Sequence, residues 1–245
     1  DWSSDVCSSD LGTEGHYDYG ARAGIWRIAR IVDAAGVPAT LAATATALEL
    51  NPPVAEWMRD RGHDLLGHGW RWIPPWRLGE DEERAHLARA VETYERVCGL
   101  RPLGWNSPYS ASAATRRLLV EEGGFLYDSD DYSDELPFWT RVADRDHLVV
   151  PYTLDANDAR FSTPNGFGTA ADFTTYVCDA FDALYREGAT TPRILNVGLH
   201  CRLIGRPGRI DGLRRVLEHI GRHDGVWVTR RVDIARHWIA EHPPA

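Results

Sequence analysis

No apolar run in this chain approaches the roughly 20 residues that a bilayer-spanning helix needs. Nor does a basic stretch followed by an apolar one stand near its beginning, so no secretory leader is read there. Basic residues are the minority. The 27 Lys+Arg against 36 Asp+Glu give a net charge of −9, which leaves no broad footprint for nucleic acid or an anionic membrane. Cysteine is scarce and scattered: Cys7, Cys98, Cys178 and Cys201 form no C-x-x-C pair, so neither a zinc knuckle nor a disulfide framework is indicated. Reduced thiols in a cytoplasmic enzyme are the expected state. The sequence also lacks a G-x-S-x-G elbow, a P-loop and a G-x-G-x-x-G after a strand, which removes three common catalytic and nucleotide-binding templates.

What remains is ordinary in bulk: 245 residues, 43% hydrophobic and 26% charged, enough to bury a sizeable core. Residues 1–11 differ from the rest. They are rich in Ser and Asp, follow neither regular period, and read like the translated end of a sequencing adapter. The expectation is a disordered, non-native scar over 1–11 and a single catalytic domain over 12–245, with the genuine beginning of the chain missing.

Helical and strand patterns alternate from there on. A helix runs from Tyr19, with Ile25, Ile28, Ala29 and Val32 on one face and Gly36 as its stop. Short apolar strands are read at 38–43, 63–67, 102–105, 125–128, 147–152, 193–199 and 226–228. Helices are read at 52–61, 80–98, 112–122, 170–187, 210–223 and 231–241. Such alternation predicts a parallel α/β architecture, and short strands spread over the whole length favour one closed barrel. The first helix has no strand before it, so the first strand of that barrel is expected to be lost.

Chemistry collects where these strands end. His68 follows the second strand, with Trp70 and Trp72 just beyond it. Trp105-Asn106-Ser107-Pro108-Tyr109 follows the third, Tyr127-Asp128-Ser129-Asp130-Asp131 ends the fourth, and Asp155-Ala156-Asn157-Asp158 comes after the fifth. His200 ends the sixth, before Arg202 and Gly205-Arg206-Pro207-Gly208-Arg209. A single such residue could be a loop cap, and Asp128 and Ser129 could simply bond loop backbone. Their shared position points instead to one mouth of a barrel. The local metal signal is weak: the position four beyond His68 is Trp72, and His63, five before it, is expected to be a structural or surface residue.

Several segments together resemble the polysaccharide-deacetylase superfamily, and within it the metal-independent allantoinase branch. They are Gly62-His63-Asp64 through His68-Gly69-Trp70-Arg71-Trp72, the run from Glu121 to Asp130, Val150-Pro151-Tyr152-Thr153-Leu154-Asp155, Gly198-Leu199-His200-Cys201-Arg202 through Arg209, and Arg230-Arg231-Val232-Asp233 through Trp238. The resemblance implies a distorted (β/α) barrel. Metal-dependent members carry H-x-x-x-H after the second strand, and here its second histidine is Trp72. Asn106 stands where deacetylases commonly have arginine, and the family's acidic first-strand motif is not found.

The implied activity is a hydrolase opening a cyclic amide, allantoin to allantoate in purine breakdown, with neither cofactor nor metal. His68, His200 and Asp130 are the expected catalytic groups, and Trp72, Asn106, Tyr109 and Arg206 the expected substrate-binding ones. A small-molecule substrate, a cytoplasmic location and a homo-oligomer complete the expectation, with no nucleic-acid or membrane partner. The alternative is a metal-dependent polysaccharide or peptidoglycan deacetylase.

Overall fold

The computed structural model describes residues 11–244, so the adapter-like segment lies outside the described residues except for Leu11. The helices are α1 (Leu11–Tyr19), α2 (Ile25–Ala35), α3 (Ala45–Leu50), α4 (Pro52–Asp60), α5 (Glu80–Cys98), α6 (Thr115–Glu122), α7 (Ala170–Glu187), α8 (Ile210–Ile220) and α9 (Arg231–Glu241). The strands are β1 (Thr40–Ala43), β2 (Asp64–Gly67), β3 (Gly104–Trp105), β4 (Tyr127–Asp128), β5 (Phe138–Val142) and β6 (Arg145–Val149). Two compact units result. One contains Val37–Thr153, Leu184–Asn196 and the chain from Trp227 on, and the other contains the chain up to Gly36, Leu154–Ala183 and Val197–Val226.

The first of these, the sheet unit, holds all six strands in the order β1-β2-β3-β4-β6-β5. Every neighbouring pair is parallel except the edge hairpin β5–β6. The expected α/β fold with a mostly parallel sheet is therefore what forms. The parallel strands coincide with five of the predicted ones, and their shared direction sends every following loop to the same sheet end. Backbone bonds carry the pairing one residue further: Asn106 N to Gly67 O at 2.8 Å, Ser129 N to Trp105 O at 2.7 Å and Val150 N to Asp128 O at 2.9 Å.

Glycines and aromatic rings fit this sheet together. A Cβ on Gly67 would stand 2.6 Å from the Trp105 ring, and one on Gly104 2.1 Å from the Tyr127 ring. Each strand's ring thus lies on the bare backbone of the strand before it. Beneath, Leu66, Tyr127, Leu148 and Val150 pack with Val232 and Ala235 of α9. The long helix α5 opens with four acidic residues and a Glu82 carboxylate that accepts the Gly79 N–H at 3.2 Å. It ends at Gly99, whose φ of +64° suits glycine.

Three features differ from the sequence reading. Residues 193–199 give only one bridge, Gly198 to Asn157, because the facing chain coils at once into the 3-10 turn Asp158–Ser162. Residues 226–228 join no ladder. Finally, β5 was not read as a strand. Its hairpin turns on Ala143-Asp144 with φ of +46° and +62°, a two-residue turn normally signalled by Asn-Gly or Asp-Gly.

In the other unit, α1 passes through a π-helical turn, Gly20–Gly24, straight into α2. The predicted apolar face of Ile25, Ile28, Ala29 and Val32 is buried, and α2 packs on α8. Two glycines make a backbone joint here. A Cβ on Gly24 would lie 2.0 Å from the Cys201 carbonyl oxygen, and one on Gly205 would lie 2.2 Å from the same atom and 2.5 Å from Gly24 Cα.

Candidate active site

In the sheet unit, β2 stops at Gly67 and delivers His68, which is only 8% exposed. Its Nδ1–H donates to the Asn106 carbonyl at 2.5 Å, so Nε2 carries the lone pair. Its backbone N–H donates to the Tyr94 hydroxyl at 3.0 Å, and that hydroxyl donates on to Ala43 O at 2.5 Å. Tyr94 therefore ties the ends of β1 and β2 to α5. Burial pushes its phenol up, which keeps it a neutral donor. His63 is buried and accepts the Ala39 N–H on Nδ1 at 3.2 Å, the structural one of the two roles expected of it.

Trp72 sits edge-on to His68 with ring centroids 4.9 Å apart. It meets Tyr109 at 5.4 Å, which in turn meets Trp76 at 6.1 Å. These three rings are 40%, 59% and 50% exposed for Trp72, Tyr109 and Trp76, an aromatic wall open to solvent. Tyr109 holds a φ of +64°, a conformation costing a non-glycine residue roughly 1–2 kcal/mol. Such strain concentrates at functional sites.

Two carboxyls at the end of β4 are driven to opposite states. Asp128 is fully buried and receives Arg116 through Nε at 2.7 Å and Nη2 at 3.0 Å, with His147 Nε2 at 3.0 Å. Burial by itself raises this carboxyl, but the bonds from His147 and Arg116 outweigh it and hold Asp128 below the usual range. Asp130 accepts from Ser107 N–H at 2.7 Å, Ser107 Oγ–H at 2.7 Å and Asn106 Nδ2 at 3.1 Å. Burial, reinforced by the neighbouring Asp128 charge, nevertheless pushes Asp130 up to about 7. A fixed carboxylate beside one that titrates near neutrality is the arrangement acid–base chemistry uses.

Arg231, the buried first residue of α9, holds the loops beyond β4 and β6. It donates to Ser129 Oγ at 2.9 Å, Val150 O at 2.6 Å, Pro151 O at 2.8 Å and Asn196 Oδ1 at 2.7 Å. Burial lowers its pKa, yet guanidinium remains charged throughout the working range.

The other unit holds His200 and Arg206. His200 Nδ1–H donates to Asp158 Oδ1 at 2.6 Å, while Asp158 Oδ2 accepts the backbone N–H groups of His200 at 2.8 Å and Ile204 at 2.9 Å. Asp158 is completely buried. The pair fixes the His200 tautomer with its lone pair on Nε2, the orientation that a carboxylate gives a catalytic imidazole. Burial pushes the adjacent Cys201 thiol up to about 11, so it stays protonated. Arg206 stacks on Tyr19 at 3.6 Å and lines an open cavity of about 590 Å³ with Arg202 and Arg209.

The expected residues thus fall into two groups. His68, Trp72, Asn106, Tyr109 and Asp130 share the sheet unit, and His200 and Arg206 share the other. Asn106 uses its amide to hold Asp130 and Ser129 O. Sequence reasoning passed over Asp158, although its Asp155–Asp158 run had been noted. It gave Ser107 and Tyr94 no role at the site and missed Arg116 altogether, since each acts through a partner many residues away.

A metal at His68 would need further donors. Trp72 offers only an indole N–H, and the Asn106 carbonyl accepts from Nδ1 of His68. Among the described residues, the group of His, Cys, Asp and Glu whose ligand atoms converge does not include His68. Among the described residues, those around His68 do not converge as a set of metal ligands.

Comparison with known proteins follows the same lines. Residues 16–127 match the family model of polysaccharide deacetylase. A Schizosaccharomyces pombe protein assigned by name to the polysaccharide deacetylases is 37% identical over 94% of this chain and 77% of its own length. The crystal structure of Puue allantoinase superposes with a TM-score of 0.93 at 47% identity, covering 98% of this chain and 80% of that one. A Pseudomonas aeruginosa PAO1 structure, named for polysaccharide deacetylase, gives 0.93 at 46% identity over 97% and 80%. With a histidine closing the second strand, acid–base groups in both units and these relatives, the chain is a hydrolase of the deacetylase and allantoinase kind and belongs to the polysaccharide-deacetylase family.

Proposed function

We propose that this chain opens a cyclic amide, with allantoin as substrate and allantoate as product, and does so without a metal. The observation that carries the reading is Trp72: an indole packs on His68 where metal-dependent relatives need a second imidazole ligand. The likeness to Puue allantoinase supports the same choice of substrate.

Ring opening requires a water made nucleophilic, a polarised carbonyl and a proton for the departing ring nitrogen. Asp130, which titrates near 7, is the general base for water. His200, once protonated on Nε2 while its Nδ1–H stays on Asp158, is the proton donor to the leaving nitrogen. His68, likewise protonated on Nε2 while its Nδ1–H stays on the Asn106 carbonyl, donates to the substrate carbonyl oxygen and polarises it. Trp72 and Tyr109 offer flat faces to a flat hydantoin ring. Arg206 supplies a cation for the ureide oxygens. The homo-oligomer and the cytoplasmic setting belong to the same proposal.

The test is allantoin hydrolysis by chelator-treated protein, alongside His68→Ala and His200→Ala. Turnover that survives chelation and disappears in both variants is expected. Inert allantoin, together with zinc-dependent acetate release from N-acetylated sugars, overturns the reading in favour of a deacetylase.

A further inference from the structure

The last turn of α8 carries His219, and His223 follows four residues later, just past the helix end at Ile220. Asp182 of α7 meets them, with its Oδ1 2.7 Å from His219 Nε2. One ligand atom from each of the three lies within 4.8 Å of the others. None of these residues belongs to the clusters around His68, Asp130 or His200. We propose that Asp182, His219 and His223 form a binding site for one divalent transition-metal ion of the zinc type.

Donor chemistry suits that ion: two imidazole nitrogens and one carboxylate oxygen are a common zinc set, with water completing four ligands. Bonds of about 2.0–2.2 Å place tetrahedral ligand atoms about 3.3 Å apart. The Asp182–His219 contact must therefore open by roughly half an ångström and the remaining gaps close by at most about 1.5 Å, which side-chain rotation supplies. His223 is already oriented, because its Nδ1–H donates to the His219 carbonyl at 2.9 Å. An outer hydrogen bond of that kind fixes the tautomer of a ligating histidine.

The surroundings are right as well. Phe181, 6% exposed, packs edge-on against both rings at 5.7 Å and 4.9 Å and gives the site a dry wall. On the open side the Asp182 and His219 side chains are 38% and 28% exposed, leaving access for water. The C-terminal end of α8 carries the negative pole of its dipole, which favours a cation there. A bound ion clamps α7 to α8. Without one, the same residues would merely form an ion pair between two helices, and zinc uptake separates these cases.

Untagged chain, stripped with chelator and dialysed, is titrated with zinc by calorimetry. One ion per chain is expected, with affinity reduced at least about tenfold in His219→Ala and in His223→Gln. His68→Ala binds as the parent does. Zinc should raise the melting temperature of the parent and not of the two variants. Cobalt substitution gives a readout on the parent alone: a visible spectrum of nitrogen and oxygen ligation without thiolate bands. No uptake, uptake unchanged in the His219 and His223 variants, uptake lost only with His68→Ala, or a thiolate spectrum each overturns the site.

Discussion

Replacing Asp130 by asparagine should make the protein more stable above neutral pH while abolishing turnover. The carboxyl is raised from 3.8 to about 7 in the folded chain, by burial first and by Asp128 second. The folded state therefore grips this proton more tightly than the unfolded state does. Between about pH 4 and pH 7 only the folded chain retains it, so stability falls as pH rises through that window. At about 1.4 kcal/mol per pH unit, a rise of roughly three units sets an upper bound near 4 kcal/mol. Solvent screening at a half-buried group reduces this to about 1–2 kcal/mol. Asparagine cannot ionise, and its Oδ1 can still accept the Ser107 N–H. Thermal melts of parent and variant should nearly coincide at about pH 4.5 and separate by about 2–8 °C at about pH 8, with the variant higher. Parallel curves across that range, or a variant that is less stable at the alkaline end, would refute the reasoning.

Three further outcomes follow from the same geometry. Ser107→Ala removes a 2.7 Å donor that favours ionised Asp130, so the acid limb of the kcat/KM profile should move up by about one pH unit; an unmoved limb means that Asp130 does not set it. Tyr94→Phe deletes the bonds to Ala43 O and from His68 N–H, and urea denaturation should show a loss of about 2–3 kcal/mol. Loss of less than a few tenths of a kcal/mol would rule out the hydroxyl as a tie between β1, β2 and α5. Ala143→Gly relieves a left-handed alanine in the β5–β6 turn and should raise the urea midpoint by the equivalent of about 0.5–1 kcal/mol. A lower midpoint contradicts that assignment of strain.

Sequence patterns reached the parallel strands because their signal is local. Apolar runs such as 63–67 end at a small residue, and the residue after it, His68, inherits a fixed position. For the same reason Asp130, Asn106 and Tyr109 could be named from chain order. Asp158 could not be paired with His200, since 42 residues separate them and nothing in either neighbourhood encodes the contact. Nor could the opposed states of Asp128 and Asp130 be read, because they depend on Arg116 and His147 converging on one carboxylate. The β5–β6 hairpin escaped for a different reason: alanine occupies a turn position whose usual residue is asparagine, aspartate or glycine, so the local chemistry contradicted the local structure.

The contact between Gly24, Cys201 and Gly205 governs how His200 can move. Backbone rests on backbone there, with no side chain between to act as a bearing. The turn that carries His200 consequently has no hinge of its own on that side, and a shift of Cys201 must be accompanied by the π-helical turn that joins α1 to α2. Any methyl introduced at Gly24 or Gly205 would be felt one residue from the imidazole. These two positions behave as one, and the placement of the His200 imidazole is set in part by the backbone of a helical turn far from it in sequence.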